Sequence, residues 1–114
     1  MSKRYAMFIG RYQPLHDGHI YLFEQKIKEG IPVLIAIRDM ETDEKNPFTS
    51  QQVLNNITER LLDYVQQGMI KVIIIPDIEG VYYGRDVGYK VEQIQAPDHI
   101  KKISATKIRK EMGL

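Results

Sequence analysis

Tyr5-Ala6-Met7-Phe8-Ile9-Gly10-Arg11-Tyr12-Gln13-Pro14-Leu15-His16-Asp17-Gly18-His19 is the stretch that sets the fold. Tyr5 to Ile9 is a continuous apolar run closed by Gly10, the pattern of a central strand buried on both faces of a parallel sheet. Pro14 marks a loop from Arg11 to Asp17. From Gly18 the spacing becomes helical. Ile20, Phe23 and Ile27 share one face, Glu24 and Lys28 stand four apart for an ion pair, and Gly30 is the stop. Pro32 then resets the chain into a second buried run, Val33 to Ile37. Strand, helix and strand in this order form a right-handed parallel crossover.

Arg38 to Asn46 is polar and charge-dense, a surface loop beyond the second strand. Thr49 and Gln52 make a capping box that opens a helix with Leu54, Ile57, Leu61 and Tyr64 or Val65 inward, ended by Gly68. Met69 to Ile75 is a third apolar run, closed by Pro76. The expected fold is α/β, a single doubly wound parallel sheet of the Rossmann-like kind occupying residues 1–114. After Pro76, Val81 to Tyr83 and Val91 to Ile94 read as short strands around a loop from Gly84 to Gly88. Ser104 caps a last helix through Met112, with Lys107 and Lys110 outward and Ile108 and Met112 inward.

The composition agrees with one domain. The 114 residues are 43% hydrophobic and 27% charged, and 16 Lys and Arg against 15 Asp and Glu leave a net charge of +1. A chain of this length buries roughly two-thirds of its unfolded surface, enough for one core. The charge balance argues against a nucleic-acid partner. No apolar run approaches the roughly 20 residues that span a bilayer, so no membrane partner is expected and the location expected is cytoplasmic. The absence of cysteine excludes disulfides, thiolate metal sites and cysteine nucleophiles.

The chemistry concentrates where the first strand hands over to the first helix, the end of an α/β sheet at which ligands bind. Gly10 permits close backbone approach, and Gly18 a tight turn as His19 enters the helix. A helix N-terminus offers unpaired N–H groups and a positive dipole end to phosphate. His16 and His19 add two imidazoles whose charge responds near neutral pH. A His-x-x-His spacing alone also fits exposed or core histidines, or a metal site.

Gly10, Tyr12, Pro14, His16, Gly18 and His19 occupy every fixed place of Gly-x-[Phe/Tyr]-x-Pro-x-His-x-Gly-His, and here the chain resembles the cytidylyltransferase-like nucleotidyltransferases in their adenylyl branch. A second signature of that family, Ile-Ser-x-[Ser/Thr]-x-[Ile/Val]-Arg, is matched by Ile103-Ser104-Ala105-Thr106-Lys107-Ile108-Arg109. The resemblance implies catalytic roles for His16, His19 and Arg109. His16 and His19 would stabilise the α-phosphate under attack, while Ser104, Thr106 and Arg109 would grip the β and γ phosphates. Gly10, Arg11, Tyr12 and Gly18 would complete the nucleotide site. It also implies in-line attack by a phosphate of a second substrate, release of pyrophosphate, Mg²⁺ arriving with the nucleoside triphosphate, and a homodimer.

Asn46-Pro47-Phe48-Thr49 resembles the stretch before the second helix in short, archaeal-like nicotinamide mononucleotide adenylyltransferases. Those continue with Glu-Arg where this chain has Gln52-Val53. The segment Tyr83 to Tyr89 stands where relatives read the base or acceptor, with Arg85 and Asp86 as candidate substrate contacts. The expected activity is transfer of a nucleoside monophosphate, from ATP in preference to CTP, to a small phosphate-bearing acceptor. The alternatives are a cytidylyltransferase and a non-catalytic nucleotide-binding module. No metal-ligating set is assigned. His99 reads as a surface histidine. The acidic run Asp39, Glu41, Asp43 and Glu44 reads as a solvated loop, and Lys101, Lys102, Lys107 and Lys110 as a solvated face.

Overall fold

A computed structural model of the protein describes residues 4–85, 88 and 90–113. Asp86, one of the candidate substrate contacts, lies outside them. The chain runs β1 (Ala6–Gly10), α1 (Asp17–Lys28), β2 (Val33–Asp39), α2 (Ser50–Arg60), α3 (Leu62–Gln66), β3 (Ile70–Pro76), α4 (Asp98–Lys101) and α5 (Ala105–Glu111). The strands form one parallel sheet in the order β1-β2-β3, with Phe8 opposite Ile35 and Ile35 opposite Val72. With helices flanking this sheet, the architecture is the expected Rossmann-like α/β fold.

β2 is the centre of the core. Val33, Ile35, Ala36 and Ile37 are fully buried, because β2 has a strand on either side and α2 packed against it. Phe23 of α1 and Val53 and Ile57 of α2 close over the sheet. The Phe8 and Phe23 rings meet edge to face with centroids 5.2 Å apart, a favoured aromatic geometry. Gly30 and Gly68 take positive φ values of 78° and 75°, where only glycine avoids a steric penalty, and so turn the chain out of α1 and α3.

Several expectations change. β1 has the composition of a central strand but lies at an edge, and Met7 on it is 53% exposed. The physical reason is that Val81 to Tyr83 and Val91 to Ile94 form no strand, so no described segment pairs with the outer side of β1. The helix after Thr49 is interrupted at Leu61, whose backbone departs from helical angles at φ −111° and ψ 27°. Glu24 does not pair with Lys28. It accepts the Tyr64 hydroxyl at 2.7 Å, while Lys26 pairs with Glu29 at 3.2 Å. Met112 is exposed rather than inward, standing at the C-cap where α5 ends. No helix among the described residues is long and apolar enough to cross a membrane.

Candidate nucleotide-binding site

His16 and His19 cap α1 reciprocally. The His16 Nδ1 accepts the backbone N–H of Gly18 at 3.1 Å and of His19 at 3.4 Å, while the His19 Nδ1 accepts the backbone N–H of His16 at 3.1 Å. This is a capping box with imidazoles in place of the usual hydroxyl and carboxylate. Each Nδ1 is an acceptor, so each neutral ring carries its proton on Nε2 and can donate from there to an anion. The two rings stack at 3.7 Å with planes 17° apart. The i,i+3 spacing carried the signal for this box, but a histidine is an uncommon cap.

Burial, more than any other cause, holds both imidazoles below their ordinary basicity. His19 falls from 6.5 to about 3, with the charge of His16 as the second cause. His16 is also lowered, though Asp17 opposes the shift. The unfolded chain therefore binds more protons than the folded protein between about pH 3 and 6.5, the window set by His19. Stability from keeping these rings neutral is full above that window and is lost as pH falls through it. A lower thermal unfolding midpoint at pH 5 than at pH 7.5 is expected, with the difference reduced in His19→Gln.

Tyr12 supports this pair from beneath. Its side chain is 5% exposed, and its ring meets His19 edge to face at 4.8 Å and Phe23 at 6.0 Å. Burial pushes its phenol well above the ordinary range. The structure thus puts Tyr12 in the core, holding His19. Its φ of 51° is a left-handed conformation costly for a non-glycine residue. Gly10 makes room for it, since a Cβ there would come within 3.0 Å of the Tyr12 ring. Gly18 serves His16 in the same way. It needs no unusual turn and sits as the second residue of α1, where a Cβ would lie 2.9 Å from the imidazole.

The second signature reaches the first. Ser104 caps α5 by accepting the Lys107 N–H at 3.1 Å. The Arg109 guanidinium donates to the Gln13 carbonyl at 2.6 Å and to the Thr106 hydroxyl at 3.3 Å. The Ile100 carbonyl approaches Gly18, and α4 packs on α1. Arg11 is exposed and its charge helps hold the Asp43 carboxyl low, after the hydrogen bonds from Asn46. Asp17 is engaged by Arg60 at 2.5 Å. Gly10, His16, Gly18, His19 and Arg109 are therefore gathered at the carboxyl end of β1.

Arg85 is exposed. The Gly88 carbonyl accepts from the Arg4 guanidinium, so Gly88 lies near the residues that lead into β1. A cavity of about 560 Å³ opens at the carboxyl end of β2, lined by Asp39, Met40, Glu41, Thr42, Thr49 and Ser50. Ser50 donates to Asp39 across it at 2.7 Å. Gln13, at an unspecified place of the first signature, is the residue that sequence reasoning missed. Its amide exchanges two hydrogen bonds with the backbone of Phe48.

A parallel α/β sheet with paired imidazoles at the helix opening and an arginine returned from the last helix defines an α/β protein with a candidate phosphate site at the carboxyl end of its sheet. No protein-family model matches the chain. Curated relatives do, under the name nicotinamide-nucleotide adenylyltransferase. The protein of that name from Thermococcus onnurineus is 32% identical over 80 residues, which is 68% of this chain and 42% of the relative. That from Methanospirillum hungatei is 37% identical over 60 residues, 51% of this chain and 34% of the relative. That from Pyrobaculum neutrophilum is 27% identical over 132 positions, reaching 91% of this chain and 74% of the relative. The chain is a relative of the nicotinamide-nucleotide adenylyltransferases, in keeping with the cytidylyltransferase-like nucleotidyltransferase superfamily. It spans about two-fifths of the length of the Thermococcus relatives it matches.

Proposed function

We propose that the protein is an adenylyltransferase, moving the adenylyl group of ATP to the phosphate of a small acceptor. The observation that carries this reading is the stacked His16 and His19 pair, with both Nδ1 atoms spent on the cap and both Nε2 atoms left to donate. An acceptor phosphate oxygen attacks the α-phosphorus and forms a phosphoanhydride. The bond from the α-phosphorus to the bridging oxygen breaks, and pyrophosphate leaves with its electron pair. The neutral imidazoles donate hydrogen bonds to the α-phosphate oxygens as charge shifts, and Arg109 steadies the leaving phosphates. Alignment supplies the rest of the rate.

Mg²⁺ enters as part of the ATP substrate. The imidazoles, hydroxyls and guanidinium are suited to phosphate, and the neighbouring carboxylate of Asp17 is held by Arg60. The names of the relatives make nicotinamide mononucleotide the first acceptor to test. The cavity beside β2 is of a size that suits a small ligand. A cytoplasmic location suits an enzyme that draws on the pool of nucleoside triphosphates. A homodimer is favoured by the open β1 edge with its exposed Met7.

The test is pyrophosphate release from ATP with nicotinamide mononucleotide, run beside CTP with choline phosphate and with glycerol 3-phosphate. Release only with CTP would make the protein a cytidylyltransferase. Binding of ATP without release in any pairing would leave a nucleotide-binding module. Arg109→Lys keeps the charge and loses the planar fork that now spans the Gln13 carbonyl and Thr106. A weakening of ATP binding of about tenfold is expected by calorimetry, corresponding to loss of roughly one charge-assisted hydrogen bond. Unchanged affinity would make Arg109 a structural clasp only.

A further inference from the structure

Gln13 touches both of the other signature segments. The residue is 6% exposed. Its Nε2 donates to the Phe48 carbonyl at 2.9 Å, and its Oε1 accepts the Phe48 N–H at 3.0 Å. One side-chain amide thereby satisfies both backbone groups of Phe48, as a paired residue does in an antiparallel ladder. The carbonyl of the same residue receives Arg109 at 2.6 Å. Phe48 leads directly into Thr49, which caps α2 through the Gln52 N–H at 3.1 Å and lines the cavity beside β2.

We propose that Gln13 is a positioning residue that sets the Thr49 wall of this cavity at a fixed distance from the two imidazoles and Arg109. The proposal rests on the transfer reaction proposed above. Two reactants bound on separate loops must meet within about 3 to 3.5 Å, and a displacement of about 1 Å lowers the rate on the order of a hundredfold. The loop that holds the phosphate signature and the loop that walls the cavity come from different crossovers, β1 to α1 and β2 to α2. The Gln13 amide ties them with two part-buried hydrogen bonds, and shielding from water strengthens such bonds.

The experiment compares the wild type with Gln13→Met, which keeps the shape and removes both hydrogen bonds. Gln13→Glu keeps shape and the oxygen that accepts from Phe48, and it serves as the second variant should Gln13→Met fail to fold. Pyrophosphate release is followed with ATP and nicotinamide mononucleotide, and ATP binding is measured separately by calorimetry. Gln13→Met is expected to lose about ten- to a hundredfold in kcat and to show a raised KM for nicotinamide mononucleotide, while its Kd for ATP stays within about threefold of wild type. Gln13→Glu, whose second oxygen meets the Phe48 carbonyl where Nε2 now donates, is expected to lose at least as much. Wild-type kinetics in both variants would overturn the proposal, as would an equal loss of ATP affinity and acceptor KM, the mark of general loosening. A wild type that releases no pyrophosphate would overturn the transfer reading and this proposal together, whereas an active wild type beside unaltered variants overturns this proposal alone.

Discussion

Replacing His16 with Asn is expected to lower turnover about 100- to 1,000-fold in a protein that stays folded, the loss seen when one donor to a developing oxyanion is removed. Asparagine is among the best N-cap residues, and its side-chain oxygen can accept the Gly18 and His19 N–H groups that the His16 Nδ1 now accepts. What it lacks is the Nε2 donor. His16→Ala loses the donor and the cap together, and the cap alone costs about 1 kcal/mol. Pyrophosphate release and thermal unfolding measured on both variants separate the two roles. Full turnover in His16→Asn would remove the ring from the reaction. Capping also means that His16, within the loop expected from Arg11 to Asp17, contributes to the stability of α1.

The largest loss of stability is expected from Phe23→Ala, about 3 to 5 kcal/mol. Phe23 is 1% exposed and lies between β1 and the signature loop, touching Phe8 and Tyr12. Against a total stability of about 5 to 15 kcal/mol for a domain of this kind, that loss brings the protein close to unfolding. The damage would reach the site as well, since Tyr12 rests on Phe23 and His19 on Tyr12. A fall in the urea midpoint with an unchanged slope is the measurement. A change under about 1 kcal/mol would show that the neighbouring rings collapse into the space.

Sequence reading succeeded where the determinants are local. The Thr49 and Gln52 box, the Ser104 cap and the three apolar runs each depend on residues within a few positions of one another, and each is found as read. It failed where the partner is remote. The apolar run at β1 says that the strand can be buried on both faces, but not whether a neighbour arrives after Pro76. Val91 is 66% exposed in a segment that forms no strand, so β-rich composition alone does not decide pairing. Gln13 was illegible for the same reason, since its meaning lies in Phe48 and Arg109, which are 35 and 96 residues away. His16 and His19 were legible as a pair at the opening of α1. Their hydrogen bonds to the backbone, which fix the tautomers, were not.

The clasp between Arg109 and Gln13 closes almost the entire chain into a loop, as the two residues stand 96 positions apart. Closing so long a loop carries an entropic penalty that local contacts do not. The segment that makes the closure contributes little to the core, for neither α4 nor α5 has a buried residue. Elements with few buried contacts open at lower free energy than the sheet beneath them. On warming, the last helix therefore leaves before the strands separate, and Arg109 parts from Gln13 while most of the secondary structure is still in place. Anything that bridges Arg109 to the imidazoles, as a bound triphosphate would, fastens the C-terminal segment to the sheet and makes the chain melt as one body.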